Sequence, residues 1–274
     1  LLARDAPRAA VCLDLLRSEE PGHHLCRMLE ILSRVLNAWP LPSERPAQIA
    51  EVIQLLDAEP HRAAVAALGE KASDFMAPFW RALAQARGAQ DYDARFPQAY
   101  RSALHLRHGD PEAAAAAAEA IEHVEDNADA LHWLAVAHHR LTGRDASWGP
   151  LMRLALVAPR RFAATLEEID DSLWKRAWFD FHAACHWLDP EDETIAAWFP
   201  SWHLIEHPGA AIDFGSPLAL PDTAPVRVMK SISRLLKLER GGHSPALVSA
   251  RGRLRELDSH MFELYMARRS VNHR

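Results

Sequence analysis

The sequence predicts an all-α protein, built as an array of antiparallel helical hairpins. Alanine-rich runs such as 113–118 favour helix, and the alternating β-branched residues of strands are nearly absent. Between residues 94 and 161, two hairpins follow one another at a spacing of 34 residues, which is typical of helical repeat proteins. The chain of 274 residues is long enough for one elongated array or for two domains.

Apolar residues recur at helical spacing along most of the chain, and turn residues separate the runs. The predicted helices span 7–17, 20–38, 45–57, 60–69, 71–87, 95–108, 111–124, 128–141, 146–158, 171–188, 191–207, 224–240 and 245–268. We expect five parts: an N-terminal helical region 1–93, the hairpin pair 94–161, an aromatic-rich hairpin 162–207, a proline-rich linker 208–223 and a basic C-terminal helical pair 224–274.

The second of the two hairpins shows the pattern most clearly. Leu131 and Leu134 lie on one face of its first helix, as a buried stripe would. Gly143 then breaks that helix, and Pro159 is expected to close the unit because its ring cannot continue a helical turn. The first hairpin has the same layout, with Gly109 standing 34 residues before Gly143.

This layout resembles the tetratricopeptide repeat, over 68 of the 274 residues. The positions that match its motif are Leu131, Leu134, Ala135, Leu151 and Pro159 in the second hairpin, and Ala113 and Ala120 in the first. Pro97 and Glu125 depart from the motif, which places a bulky residue and a proline there. The resemblance implies an α-solenoid whose concave groove holds an extended peptide or a partner helix.

In the repeats that the chain resembles, the first helix of each hairpin lines the groove. The corresponding residues are Arg95, Gln98, Ser102, His105, Asp129, His132, Val136 and His139. We therefore expect a non-catalytic scaffold with a protein or peptide partner and no cofactor. The sequence contains neither a phosphate-cradling glycine loop nor the GxSxG elbow of a serine hydrolase.

Two aromatic stripes fill the segment 171–207, which contains five of the nine tryptophans. The stripes consist of Trp174, Trp178, Phe181 and Cys185 on the first helix, and Ile195, Trp198, Trp202 and Ile205 on the second. We expect them to form a core layer or to cap the end of the array, because aromatic residues at helical spacing usually pack. The alternative is an aromatic groove for a peptide, a sugar or an aromatic ligand.

The same segment suggests an alternative function, a metal-dependent helical enzyme or accessory subunit. The candidate ligands of zinc or another divalent metal are His182, His186, His203, Glu206 and His207, and each histidine pair has i, i+4 spacing. Residues 203–207 also resemble the HxxEH signature of the inverted zincin metallopeptidases. That resemblance implies zinc on both histidines of the motif and water activation by its glutamate. Pro208 departs from the family by ending the helix directly after the motif.

Charge is distributed unevenly along the chain. Residues 224–274 contain eleven Arg and Lys against four Asp and Glu, a net of +7, so residues 1–223 carry −13 of the total of −6. A basic stripe runs along one predicted helix through Arg227, Lys230, Arg234 and Lys237. We expect this C-terminal segment to dock on the array or on a second subunit, and an anionic partner is the alternative. Nucleic acid is not favoured, because no motif that reads it accompanies the stripe.

Cysteine usage and hydropathy point to a cytoplasmic protein. Cys12, Cys26 and Cys185 lack the spacing of a disulfide framework or a thiolate zinc site, although a Cys12–Cys26 pair stays open. No apolar run approaches the ~18 residues that a bilayer-spanning helix needs, so we expect no membrane partner. The first residues do not follow the pattern of a signal peptide. The 27 Arg against four Lys, together with abundant alanine, indicate a bacterial-type composition.

Overall fold

The structure is a computed structural model that describes residues 1–39, 44–88, 91–209, 220–242 and 244–271. All regular structure in these ranges is helical, which confirms the predicted all-α class. Within the same ranges, no helix is both long enough and apolar enough to cross a membrane. The chain divides into two compact units, Leu1–Ile121 and Glu122–Arg274, so the two predicted hairpins fall in different units.

The first unit is organised around one helix with a strongly apolar face. Its helices are α1 (Ala6–Glu19), α2 (Cys26–Asn37), α3 (Pro46–Asp57), α4 (Glu59–Leu68), α5 (Ala72–Arg87), α6 (Arg101–His108) and α7 (Pro111–Glu119). Phe75, Phe79 and Leu83 recur at four-residue steps on α5 and are buried. They form the centre of this core because that spacing keeps them on one face of the helix.

The α6–α7 hairpin closes at a short, well-capped turn. Gly109 adopts the left-handed conformation, with φ of 84°, and the Asp110 side chain caps α7 by accepting a hydrogen bond from the Ala113 amide at 3.0 Å. Two further bonds join the hairpin, since the Tyr100 hydroxyl donates to the Ala117 carbonyl and the Ser102 hydroxyl to the Ala114 carbonyl, at 2.9 and 2.7 Å. The alanines of α7 leave room for this close approach.

The second unit begins with a hairpin whose connection is a single residue. Its helices are α8 (Ala128–Thr142), α9 (Arg144–Val157), α10 (Pro159–Ile169), α11 (Ser172–Ala184), α12 (Phe199–Glu206), α13 (Ala224–Arg240), α14 (Pro245–Leu257) and α15 (Ser259–Val271). Gly143 alone joins α8 to α9, with φ of 90° and ψ of −164°, a conformation that is open almost only to glycine. The two helices therefore turn back on each other and pack.

The second core combines both expected aromatic stripes with the C-terminal helices. Trp174, Phe181 and Trp202 are buried, and Phe199 contacts all three rings. The apolar faces of α13 and α14 complete the same cluster. The prediction that the aromatic hairpin packs as a core layer is therefore confirmed for these residues, and α13 is part of the second unit rather than a separate arm.

Several predicted helix bounds differ from the structure, and three differences have a clear local reason. The helix α9 ends at Val157, just before Pro159, as expected, but Pro159 then occupies the first turn of the unpredicted helix α10, where its missing amide is tolerated. The predicted helix 245–268 is interrupted at Asp258, whose side chain caps α15 by accepting from the Met261 amide at 2.8 Å. The predicted helix 191–207 starts only at Ile195, as a tight turn before α12. Most of the predicted linker, 210–219, lies outside the described residues.

Candidate functional site: an aromatic cavity in the second unit

A cavity of about 420 Å³ opens in the second unit between α9, α11 and α12. Its lining residues include Arg144, Trp148, Trp174, Ala177, His203 and His207. This volume lies in the range of cavities that bind small organic molecules, about 300–1,000 Å³.

Stacked rings form the inner wall of the cavity. The indoles of Trp148 and Trp174 lie nearly parallel, with 5.7 Å between ring centroids and 5° between planes. The imidazole of His203 packs on the indole of Trp148, with 4.0 Å between centroids. Three different helices thus contribute aromatic rings to the lining of one cavity, and such rings can stack with a planar ligand.

Local sequence explains how two of these rings are held. The Asp171 side chain caps α11 by accepting hydrogen bonds from the amides of Leu173 and Trp174, at 2.8 and 3.0 Å. Trp174 therefore sits in a fixed first turn. Trp148 follows the turn at Gly143 by five residues, so the α8–α9 hairpin sets the position of its ring.

Three residues that line the cavity carry buried hydrogen-bonding groups without a partner in the described part of the chain. The indole nitrogens of Trp148 and Trp174 and Nδ1 of His203 are all buried, and nothing in the described part of the chain bonds to them. Trp174 is 2% exposed and His203 is 9% exposed. A buried polar group without a partner is destabilising by about 1–3 kcal/mol, so a water or a ligand that bonded to these groups would stabilise the protein.

Electrostatics keep the buried imidazole neutral. Burial, helped by nearby His207 and Arg144, lowers the pKa of His203 to about 3. Burial also lowers the pKa of His207. At neutral pH, His203 therefore acts as a neutral hydrogen-bonding ring. Charge is confined to the exposed side chains of Arg144 and Asp145 at the mouth of the cavity.

The structure does not assemble the predicted metal cluster of the aromatic hairpin. The rings of His203 and His207 contact each other at a tilt of 54°, with 4.4 Å between centroids, whereas His182 packs against Trp178 and His186 against Trp187. Glu206 is ion-paired with Arg268, with 3.0 Å between Oε2 and Nη2. Within the described residues, these side chains do not bring three ligand atoms within 4.8 Å of one another.

One group of potential metal ligands does occur in the described residues, and it lies in the first unit. His105, His108 and Asp110 offer ligand atoms within 4.8 Å of one another, and Nδ1 of His105 is 3.0 Å from Nε2 of His108. Two nitrogens bound to one tetrahedral zinc at about 2.0–2.1 Å lie roughly 3.3 Å apart, close to this separation. Burial, together with His108, lowers the pKa of His105 and favours the neutral form that binds metals.

The predicted groove residues of α8 are occupied by contacts within the second unit. Asp129 is ion-paired with Arg161, and the ring of His132 lies 2.8 Å from Thr165 Oγ1 and 3.2 Å from Glu168 Oε2. His139 Nε2 is 3.0 Å from Asp171 Oδ2. Val136 is buried, so it cannot line an open groove. The unpredicted helix α10 supplies Arg161, Thr165 and Glu168, because it packs against α8, and the N-cap residue of α11 supplies Asp171.

The predicted groove residues of the first unit differ from one another in burial and in their contacts. Ser102 is buried and bonded to Ala114, so it too cannot face a ligand. Arg95 is exposed and ion-paired with Asp93, with 2.8 Å between Nη2 and Oδ2. Gln98 is partly buried, and His105 belongs to the potential metal group.

Of the residues that line the cavity, only Trp174, His203 and His207 were singled out from the sequence, and the most consequential ones that were not are Arg144 and Trp148. Both belong to the start of α9, which we predicted to begin only at residue 146. The feature of the sequence that could have indicated this site is Trp148, an aromatic residue in the first turns of a helix that follows a one-residue connection. Its pairing with Trp174 is a tertiary contact that spacing along the chain does not encode.

The fold and the site together define a helical protein with an aromatic cavity, three of whose lining residues carry buried nitrogens without a partner among the residues that the structure describes. No protein-family model matches the chain, and neither a curated protein nor a solved structure shows significant similarity to it.

Proposed function

We propose that the protein is a non-catalytic helical binding protein whose aromatic cavity holds a planar ligand with a hydrogen-bond acceptor, such as an aromatic carboxylate. The observation that carries this proposal is the set of unpartnered nitrogens on Trp148, Trp174 and His203 around one cavity. A flat ring would stack on the indole faces. Its acceptor would give an indole N–H the partner it lacks, and Arg144 at the mouth would favour a negative charge.

We also propose that the cavity binds its ligand without catalysing a reaction. A general acid or base works best when its pKa lies near the working pH, whereas the pKa of His203 is about 3. This imidazole is therefore a poor proton carrier at neutral pH, and binding is the chemistry that its surroundings favour. The three free cysteines support our proposal of a reducing, cytoplasmic compartment.

Peptide binding along both hairpins, the function predicted from the repeat pattern, has less support. Ser102 and Val136 are buried, and the polar groove positions of α8 contact side chains of their own unit. A peptide would have to displace those contacts before it could bind there.

Binding can be tested with benzoate and indole-3-carboxylate, using cyclohexanecarboxylate as a non-planar control. We expect both aromatic acids to raise the melting temperature saturably and the control to have little effect. Trp148→Phe removes the indole nitrogen and should weaken binding. Trp187→Phe is the matched control, because Trp187 also carries an unpartnered buried nitrogen but stacks on His260, outside the cavity. Equal responses of the two variants, or no response of the unmodified protein to either acid, would contradict the proposal.

A further inference from the structure

A second concave site lies between α13 and α14, on the C-terminal part of the second unit. It is a cleft of about 380 Å³, and the polar residues that line it are Arg227, Lys230, Ser231, Arg234, Ser249 and Arg253. The first three cations occupy one face of α13 at steps of three and four residues, and the fourth faces them from α14. We call this site the basic cleft.

The positive charge of the basic cleft is largely uncompensated. Arg227 is paired with Asp222, with 3.1 Å between Nη1 and Oδ1. For Lys230, Arg234 and Arg253, the described part of the chain supplies no carboxylate within ion-pair distance, and no acidic residue lines the cleft. The acidic residue Glu239 of α13 pairs instead with Arg251 of α14 and Arg269 of α15, outside the cleft. Like charges that converge without a counter-charge repel one another, and a bound anion would remove that repulsion.

Packing in the core fixes the two helices that carry the cations of the basic cleft. Val228, Ile232 and Leu235 anchor the inner face of α13 in the core, and Leu247 and Leu254 do the same for α14. The helices that carry the cations are therefore held by packing rather than by the ligand, which lowers the entropy lost on binding.

Other features of the basic cleft also suit phosphate oxygens. The hydroxyls of Ser231 and Ser249 can donate hydrogen bonds, and the guanidinium groups can bind oxygens in a bidentate manner. Ala246 and Ser249 belong to the start of α14, where the helix dipole adds positive potential. Ala250 and Leu257 supply an apolar edge.

We propose that the basic cleft binds a small ligand with two or three adjacent phosphate groups, the chemistry shared by inorganic polyphosphates and nucleoside triphosphates. A single phosphate carries about −1.5 to −2 charges at pH 7 and would leave much of the positive charge uncompensated. A short phosphate chain could reach cations on both helices. This inference is independent of the function proposed for the aromatic cavity, because the two sites share no lining residue.

The test is calorimetric titration of the whole protein with inorganic tripolyphosphate at low ionic strength. We expect saturable binding that weakens with added salt, because the contacts are ionic. Arg234→Gln and Arg253→Gln should each weaken binding roughly tenfold, the effect of losing one charge-assisted hydrogen bond. Lys237→Gln is the matched control, because Lys237 lies on α13, as Arg234 does, but outside the cleft. This variant should bind tripolyphosphate as tightly as the unmodified protein.

Further titrations separate the ligand sources. Adenosine triphosphate that binds more tightly than tripolyphosphate would support a nucleotide ligand, and equal affinity would support recognition of the phosphates alone. The proposal is overturned if sulfate at matched ionic strength competes as well as tripolyphosphate, if Lys237→Gln weakens binding as much as Arg234→Gln, or if only a nucleic-acid oligomer binds. Trp148→Phe should leave tripolyphosphate binding intact, so failure at either site can be told apart from failure at the other.

Discussion

The indole of Trp148 lies parallel to the indole of Trp174, with 5.7 Å between their ring centroids, and the nitrogens of both rings lack a hydrogen-bond partner in the described part of the chain. Packing alone would account for the stacking. It does not account for two buried donors left unpaired on one cavity wall, which is destabilising unless water or a ligand satisfies them. Trp187 and Trp202 also carry buried indole nitrogens without a partner in the described residues, so the adjacent cavity, and not the missing partners alone, marks the Trp148–Trp174 pair as a candidate binding site.

Acid should destabilise the protein partly through His203. Its folded-state pKa is about 3, because the ring is buried and lies near His207 and Arg144, whereas its ordinary value is 6.5. Between these values the unfolded chain binds a proton that the folded protein does not. The stability that the neutral ring contributes is therefore fully present above about pH 6.5 and is lost as the pH falls toward 3, by up to about 1.4 kcal/mol per pH unit.

Urea unfolding at several pH values between 7 and 4.5 would measure this contribution. His203→Gln should have a shallower fall in the free energy of unfolding than the unmodified protein. The slope should not vanish, because burial also lowers the pKa of His105, His182 and His207. A variant at the exposed His186 should keep the full slope. Parallel curves for His203→Gln and the unmodified protein would disprove the assignment.

The two turn glycines should differ in their tolerance of alanine. Gly143 has φ of 90° and ψ of −164°, whereas Gly109 lies in the left-handed helical region, which other residues enter more easily. No atom lies within 4 Å of a Cβ built at either position, so the penalty comes from the backbone alone. We expect Gly143→Ala to destabilise by about 2 kcal/mol and Gly109→Ala by about 1 kcal/mol in chemical denaturation.

A third glycine is the control for that comparison. Gly252 lies within α14, has no positive φ and has open space around its Cβ position. Gly252→Ala should therefore stabilise the protein by about 0.5–1 kcal/mol, because alanine favours helix. Equal effects of all three substitutions would contradict this account of the turns.

The three thiols should react at very different rates. Cys12 is exposed and Cys26 is partly buried, whereas Cys185 is buried. Burial, with a contribution from Asp258 and Glu206, raises the pKa of Cys185 to about 12, so almost no thiolate is available. Peptide mapping after alkylation should find Cys12 labelled first and Cys185 labelled only under denaturing conditions. Early labelling of Cys185 in the folded protein would show that this helix end opens.

Any zinc response should depend on the first unit rather than on the aromatic hairpin. Zinc is expected to raise the melting temperature through His105, His108 and Asp110, whose ligand atoms lie within 4.8 Å of one another. His108→Gln should reduce the shift, and so should Asp110→Asn, which can keep the helix cap while removing the charge. His203→Gln should leave it unchanged. A shift that is lost with His203→Gln but kept with His108→Gln would reverse this assignment.

Sequence patterns predicted what depends on local chemistry. Helical periodicity identified the fold class, and aromatic spacing placed Trp174, Phe181 and Trp202 in the core. The helix that begins at Pro159 was missed because proline was interpreted as a stop, although it is equally suited to a first turn. That single error left the polar face of α8 apparently open, and so produced a groove prediction that includes the buried Val136.

The cavity was predictable only in part. The aromatic hairpin drew attention to His203 and Trp174, but it suggested metal binding because i, i+4 histidines share a helix face. Whether their nitrogens converge depends on how α11 and α12 cross, which spacing does not determine. The rest of the cavity lining comes from α9, whose contact with α11 is tertiary. The basic cleft was not predictable for the same reason, since Arg253 of α14 faces the basic stripe of α13 only after the two helices pack.

The carboxylate of Asp171 serves two neighbours at once. One oxygen caps the first turn of α11, and the other lies 3.0 Å from His139 of α8. Asp171 thus links the backbone of Trp174, which lines the cavity, to α8, a helix that contributes no residue to the cavity lining. If the cavity binds the planar ligand that we propose, a substitution at His139 should change which ligand shapes it accepts without altering any residue that lines the cavity.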